Sequence, residues 1–212
     1  MIHPSGIHQA IVDKVVARRG RLHAFPMLNA VKTALVVVDL DEASVHRLGD
    51  TTIIPVVNKL ATTVRAAGGQ VAWVTTPISE PTANFKAVFG ESLAQSYAQE
   101  VDDDKVWREL KTKPNDMYAT KSGHSAFFPG KCNLHEQLQA RGIISILITG
   151  LVTNVCCEAS ARDAAECGYQ VTMVSDALWG HGFGLHEASL ATFFRTYGDV
   201  RPANDVLKLL RD

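Results

Sequence analysis

Ile144-Ser-Ile-Leu-Ile-Thr149, running straight into Gly150-Leu-Val-Thr-Asn-Val-Cys156, is the stretch on which the fold reading turns. Its first six residues are almost continuously apolar and rich in β-branched side chains, and a glycine stops them. Three other runs have the same character: Ala34-Leu-Val-Val-Val38, Val71-Ala-Trp-Val74 and Gln170-Val-Thr-Met-Val174. A strand with one face in water alternates apolar and polar residues. Unbroken apolarity over so short a length predicts strands covered on both faces, as in a parallel sheet.

Helical spacing fills the intervals. Ile53, Val56, Val57, Leu60, Ala61 and Val64 recur every three or four residues, and Gly68-Gly69 ends that helix. Leu134 to Arg141 precedes Gly142, Cys156 to Cys167 precedes Gly168, and Leu185 to Tyr197 precedes Gly198. Val206 to Leu210 predicts a terminal helix and His8 to Arg19 an early amphipathic one. Met117-Tyr-Ala119 is a weaker strand, and Val200 begins a short last one. Strand and helix alternating in this way predict an α/β fold with right-handed crossovers. One domain spans 1–212, with 1–30 as an N-terminal helical extension. The acidic triplet Asp102-Asp-Asp104 reads as a solvated turn.

Composition narrows the partners. The chain of 212 residues is 46% hydrophobic and 20% charged, with a formal net charge of −1. That leaves no basic footprint for nucleic acid and no polybasic patch for a membrane. No run approaches the roughly 20 apolar residues of a spanning helix, and no export signal is evident, so a cytoplasmic protein acting on a small molecule is expected. The four cysteines, at 132, 156, 157 and 167, form no CxxC pair and are expected as free thiols. Gly180-His-Gly-Phe-Gly184 does not follow the first strand and lacks the spacing before a helix of a dinucleotide loop.

In open α/β sheets, ligands bind beyond the carboxyl ends of the strands. Three chemically complementary residues sit at such exits: Asp39 after the first strand, Lys121 after the weak strand, and Cys156 shortly after the fourth. A helix N-terminus and a neighbouring ammonium favour a thiolate, which predicts a lowered pKa for Cys156. A carboxylate in reach can take the thiol proton and pass it to a leaving amine. The Cys156 N–H can face the developing oxyanion. Cys132, Cys157 and Cys167 read as core.

Lys121-Ser-Gly-His-Ser-Ala-Phe-Phe, then Ile148-Thr-Gly-Leu-Val-Thr-Asn-Val-Cys156-Cys-Glu-Ala-Ser-Ala-Arg-Asp163 and Gly168-Tyr-Gln-Val, resemble the isochorismatase-like cysteine hydrolases. Val36-Val-Val-Asp39 is similar to that family's first strand and catalytic aspartate. The resemblance covers Thr33 to Asp176. It implies a three-layer Rossmann-like fold whose six-stranded parallel sheet is flanked by helices. It implies an Asp39–Lys121–Cys156 triad, a cis peptide at Leu151–Val152, and Val152 and Cys156 as oxyanion donors. It also implies a homo-oligomer.

Two departures from the family pattern bear on specificity. Asp41 stands where the family often has Gln, which predicts either an acid facing an amine-bearing substrate or a loop cap. Thr75-Thr-Pro-Ile-Ser-Glu80 lacks the histidine of the family's metal-binding nicotinamidases, so no metal and no cofactor are expected. Phe85, His124, Trp179 and His181 complete the candidate substrate contacts. The expected reaction is cleavage of an amide, ureido or carbamoyl C–N bond through a thioester. The alternatives are isochorismatase-type vinyl ether hydrolysis, which needs Asp39 but no thiol, and a non-catalytic binding member.

Overall fold

The apolar runs become six strands: β1 (Thr33–Val38), β2 (Gln70–Thr75), β3 (Met117–Thr120), β4 (Ser145–Leu151), β5 (Gln170–Trp179) and β6 (Asp199–Arg201). They form one sheet in the order β3-β2-β1-β4-β5-β6, and every neighbouring pair is parallel. The computed structural model describes residues 5–77, 81–99, 105–182 and 184–211. Asp102 to Asp104 therefore lie outside the described residues. β1 and β4 are buried along their whole length, as continuous apolarity requires, whereas the edge strand β3 alternates buried and exposed residues. That alternation is why β3 reads weakly in the sequence.

The helices are α1 (Gln9–Arg19), α2 (Glu42–Leu48), α3 (Ile54–Ala66), α4 (Ala83–Phe89), α5 (Glu91–Gln99), α6 (Leu134–Ala140), α7 (Glu158–Glu166), α8 (Leu185–Thr196) and α9 (Ala203–Leu209). Successive β1 side chains point to opposite faces and so divide the core in two. Ala34, Val36 and Val38 join Val12, Leu134, Leu138, Ala161 and Phe193 of α1, α6, α7 and α8. Leu35 and Val37 join Val45, Val57, Leu60, Val206 and Leu207 of α2, α3 and α9. This is a helix–sheet–helix sandwich. No helix among the described residues is long and apolar enough to cross a membrane.

Two details depart from the sequence expectation. The helix expected from Cys156 begins at Glu158, because Thr153–Cys157 forms a π turn first. The N-terminal extension is also knitted into the fold. Val12 and Val15 are buried, and the fully buried Asp199 accepts from Arg19 at 3.0 Å, Ala24 N–H at 2.7 Å and Phe25 N–H at 3.0 Å.

Strand order reverses between β1 and β4, the switch point where such sheets open a crevice. There Gly150 lies opposite Val38 with φ 113°, and a Cβ built on it would lie 2.0 Å from the Val38 carbonyl oxygen. Only glycine lets the two strands meet this closely, and the obstacle is backbone that no rotamer can relieve. Gly150→Ala is therefore expected to lose about 3 kcal/mol or more of stability, combining overpacking with left-handed strain. Urea unfolding checks this.

Candidate active site

The sheet delivers two of the three predicted residues through one frame. Asp39 leaves β1 with φ 53°, and its N–H donates to the Val74 carbonyl at 2.8 Å. Lys121 leaves β3, and its N–H donates to the next carbonyl along β2, that of Thr75, at 2.9 Å. Both side chains thus hang from adjacent peptides at the end of β2. Lys121 Nζ sits 2.9 Å from Asp39 Oδ2 and donates to the Gly123 carbonyl at 3.1 Å. Thr76 Oγ1 donates to Asp39 Oδ1 at 2.6 Å, so both carboxylate oxygens are held.

The third residue arrives on the π turn after β4. The Leu151–Val152 peptide is cis. Cys157 N–H reaches back to the Val152 carbonyl at 3.3 Å, which turns the Cys157 side chain fully into the core and leaves Cys156 half-buried. The turn is held by α8: Thr153 Oγ1 lies 2.9 Å from His186 Nδ1, and Ser189 Oγ donates to the Thr153 carbonyl at 3.4 Å. Cys156 Sγ interacts with both Asp39 and Lys121, and His124 Nδ1 lies 3.9 Å from it.

The electrostatics correct one expectation. Burial first, and then the Asp39 charge, push the Cys156 thiol above the ordinary cysteine range, and Lys121 offsets this only in part. Burial opposes the Lys121 charge, but Asp39 and Cys156 outweigh it, so Lys121 holds its proton more tightly than a free lysine. The resting sulfur is a thiol beside a fixed carboxylate, not a lowered-pKa thiolate.

The other predicted residues divide. His124 is exposed and faces the thiol. Trp179 ends β5, pairs with Leu151 in register, donates from Nε1 to Asp50 at 2.6 Å and meets the exposed His181 edge-on at 5.0 Å. Phe85 packs within the α4–α5 hairpin, stacked on Phe89 at 4.4 Å and edge-on to Tyr97 at 5.3 Å. Cys167 is exposed rather than core, because α7 ends there. Thr76 and the Thr153–His186 tie were missed; a hydroxyl directly after β2 was the available signal for the first. A groove of about 550 Å³ lined by Trp73, Thr75, Trp107, Tyr118 and Thr120 runs along the β3 edge and does not include Cys156. Among the described residues, no three His, Cys, Asp or Glu side chains are grouped as a metal requires. Residues 78–80 of the stretch compared with nicotinamidases lie outside the described residues.

Comparison with known proteins places this geometry. The isochorismatase domain model matches residues 33–205. The uncharacterized isochorismatase family protein YwoC of Bacillus subtilis (strain 168) is 30% identical over 182 residues, covering 85% of this chain and 95% of that protein. The solved cysteine hydrolase from Pseudomonas syringae pv. phaseolicola 1448A superposes with a TM-score of 0.80 at 26% identity, covering 90% of this chain and 97% of that one. The N-carbamoylsarcosine amidase from Thermoplasma acidophilum superposes with a TM-score of 0.68 at 25% identity, covering 82% and 97%.

Asp41 is where the two sequence readings part, and the fold uses it as a cap. It is buried, and its Oδ1 accepts from Ser44 N–H at 2.8 Å at the start of α2. Burial, reinforced by the Asp39 charge, raises its pKa to about 6. A carboxyl raised in the folded state stabilises the fold below its unfolded pKa and loses that contribution as pH climbs through the folded value. Asn caps as well as Asp. Asp41→Asn is therefore expected to gain stability relative to the parent between pH 4 and pH 6, by up to ~3 kcal/mol across that window. Urea unfolding at several pH values measures the difference.

Proposed function

The chain belongs to the isochorismatase family, and we propose that within it this protein hydrolyses a C–N bond of a small amide, ureido or carbamoyl compound with Cys156 as nucleophile. The observation that carries the proposal is the meeting of the Cys156 thiol with the Lys121–Asp39 pair. A raised thiol next to a carboxylate needs a base that acts as bond formation begins, and Asp39 is placed to be that base. Sγ attacks the substrate carbonyl while Asp39 takes the thiol proton. Lys121 keeps Asp39 in place and balances the negative charge as it moves. The N–H groups of Val152 and Cys156 receive the oxyanion, a contribution typically worth about 3 kcal/mol per donor. Collapse expels the amine, which takes the proton from Asp39, and leaves a thioester on Cys156. Water then releases the acid and restores the thiol.

The similarity to an N-carbamoylsarcosine amidase supports C–N chemistry over vinyl ether cleavage, which leaves the thiol without a task. Cys156→Ala is expected to reduce turnover of an active N-carbamoyl or amide substrate by at least ~10³-fold, in line with the loss of a catalytic nucleophile. Stopped-acid mass spectrometry of the parent is expected to find the acyl group on Cys156. Retained turnover in Cys156→Ala together with loss in Asp39→Asn would instead favour acid-catalysed ether hydrolysis.

A further inference from the structure

Capping α2 explains the place of Asp41 but not its charge. Asn caps as well, and it would avoid burying a carboxyl that is only 2% exposed. The backbone fixes the residue there. Trp107 N–H donates to the Leu40 carbonyl and Glu42 N–H to the Lys105 carbonyl, each at 2.9 Å, so chain is laced to both sides of Asp41. The charged groups on the elements packed around it have other partners or point outward. Lys121 pairs with Asp39 at 2.9 Å, and Glu42 takes Arg108 at 3.0 Å and His46 at 3.4 Å. Arg47 lies over the Tyr97 ring, and Lys105 is exposed. Among the described residues, no cation pairs with Asp41.

The charge that Asp41 does meet is that of Asp39. Thr76, directly after β2, serves both acids: its hydroxyl donates to Asp39 at 2.6 Å, and its N–H favours the Asp41 anion. Burial and the Asp39 charge outweigh the help from Thr76 and Ser44, so Asp41 ionises only at about pH 6. The charges that act on the Cys156 thiol are those of Asp39 and Lys121. Two neighbouring like charges are relieved when one of them takes a proton. Resting on the thioester reading above, we propose that Asp41 is a positioning residue that works through Asp39: its negative charge, set beside Asp39 at Thr76, drives the Cys156 thiol proton onto the Asp39 carboxylate. In that step the proton leaves Sγ and joins an Asp39 oxygen. The negative charge passes from Asp39 to sulfur, away from the neighbour that repels it. A buried acid that costs stability above pH 6 thus favours the transfer in the same pH range. Acylation is then faster with Asp41 ionised than with Asp41 protonated.

The probe p-nitrophenyl acetate isolates this step, because its leaving group needs no proton from Asp39. Release of the first equivalent is followed in stopped flow, at the isosbestic wavelength of the phenol and its anion. The parent, Asp41→Asn and Cys156→Ala are compared from about pH 5 to about pH 8, either side of the Asp41 ionisation. The parent rate is expected to climb ~10-fold through a midpoint near pH 6. Asp41→Asn is expected to match the parent within ~2-fold at the acid end and to stay flat, ending about 10-fold slower at the alkaline end. Agreement at the acid end excludes misfolding as the source of the loss. A residue that only caps α2 gives another result: Asp41→Asn then follows the parent profile, or falls below it by one factor at every pH, and either outcome overturns the proposal. Failure of the thioester reading registers separately. A first release undiminished in Cys156→Ala means that no thioester forms, and the proposal for Asp41 falls with it.

Discussion

The ion pair between Lys121 and Asp39 is the constraint to which the rest of the site conforms. A lysine only 1% exposed is costly on its own, and removing its carboxylate leaves a buried charge worth about 3–5 kcal/mol of destabilisation. At 2.9 Å the pair is tolerable because further donors and acceptors, Thr76 and Gly123, take up what the two partners leave over. Its backbone anchors are consecutive carbonyls of β2, so the pair is as rigid as the sheet. The sheet in turn brings β4 against β1 at Gly150, which sets the thiol turn beside the carboxylate. Charge, strand order and one missing Cβ form a single chain of dependence.

Burial pushes the Cys156 thiol above the ordinary cysteine range, which favours a sulfur that keeps its proton. On the thioester route proposed above, attack waits for a carbonyl to be in place as the thiol proton moves to Asp39. This arrangement differs from one in which a helix dipole and a lone cation hold a permanent thiolate. On that route, activation of the sulfur is tied to substrate occupancy.

Most of the sheet was legible because its strands are buried on both faces, and such strands must be apolar throughout. The count of six parallel strands and the family followed from the resemblance carried by the segment around Cys156 and by Val36 to Asp39, while the strand order did not. The three residues at strand exits could be found because the switch-point rule fixes where to look. The short helices α2, α4 and α5 were not read. Each buries at most a residue or two, so apolar periodicity cannot reveal it, and their N-terminal caps, Asp41 for α2 and Thr82 for α4, are common residues in loops. The π turn was missed because an extra residue per turn leaves no mark on a 3.6-residue pattern. Asp41 could not be assigned because the same carboxylate serves a pocket or a helix terminus, and only its neighbours decide. The thiol pKa was misjudged because burial outweighs a nearby cation, and burial depth is not written in the local sequence.

The hairpin of α4 and α5 has a different relation to the whole. It follows the carboxyl end of β2, yet among its described residues only Ala94 is fully buried. Its cohesion comes from Phe85 against Phe89 and Tyr97, and Tyr97 carries the Arg47 guanidinium of α2 over its ring at 3.7 Å. Val88, Phe89 and Leu93 face outward. Replacements here disturb neither the two-sided core nor the Lys121–Asp39 pair, so their thermodynamic cost is small. The hairpin can therefore change its side chains at little cost to the sheet, its two-sided core or the Lys121–Asp39 pair.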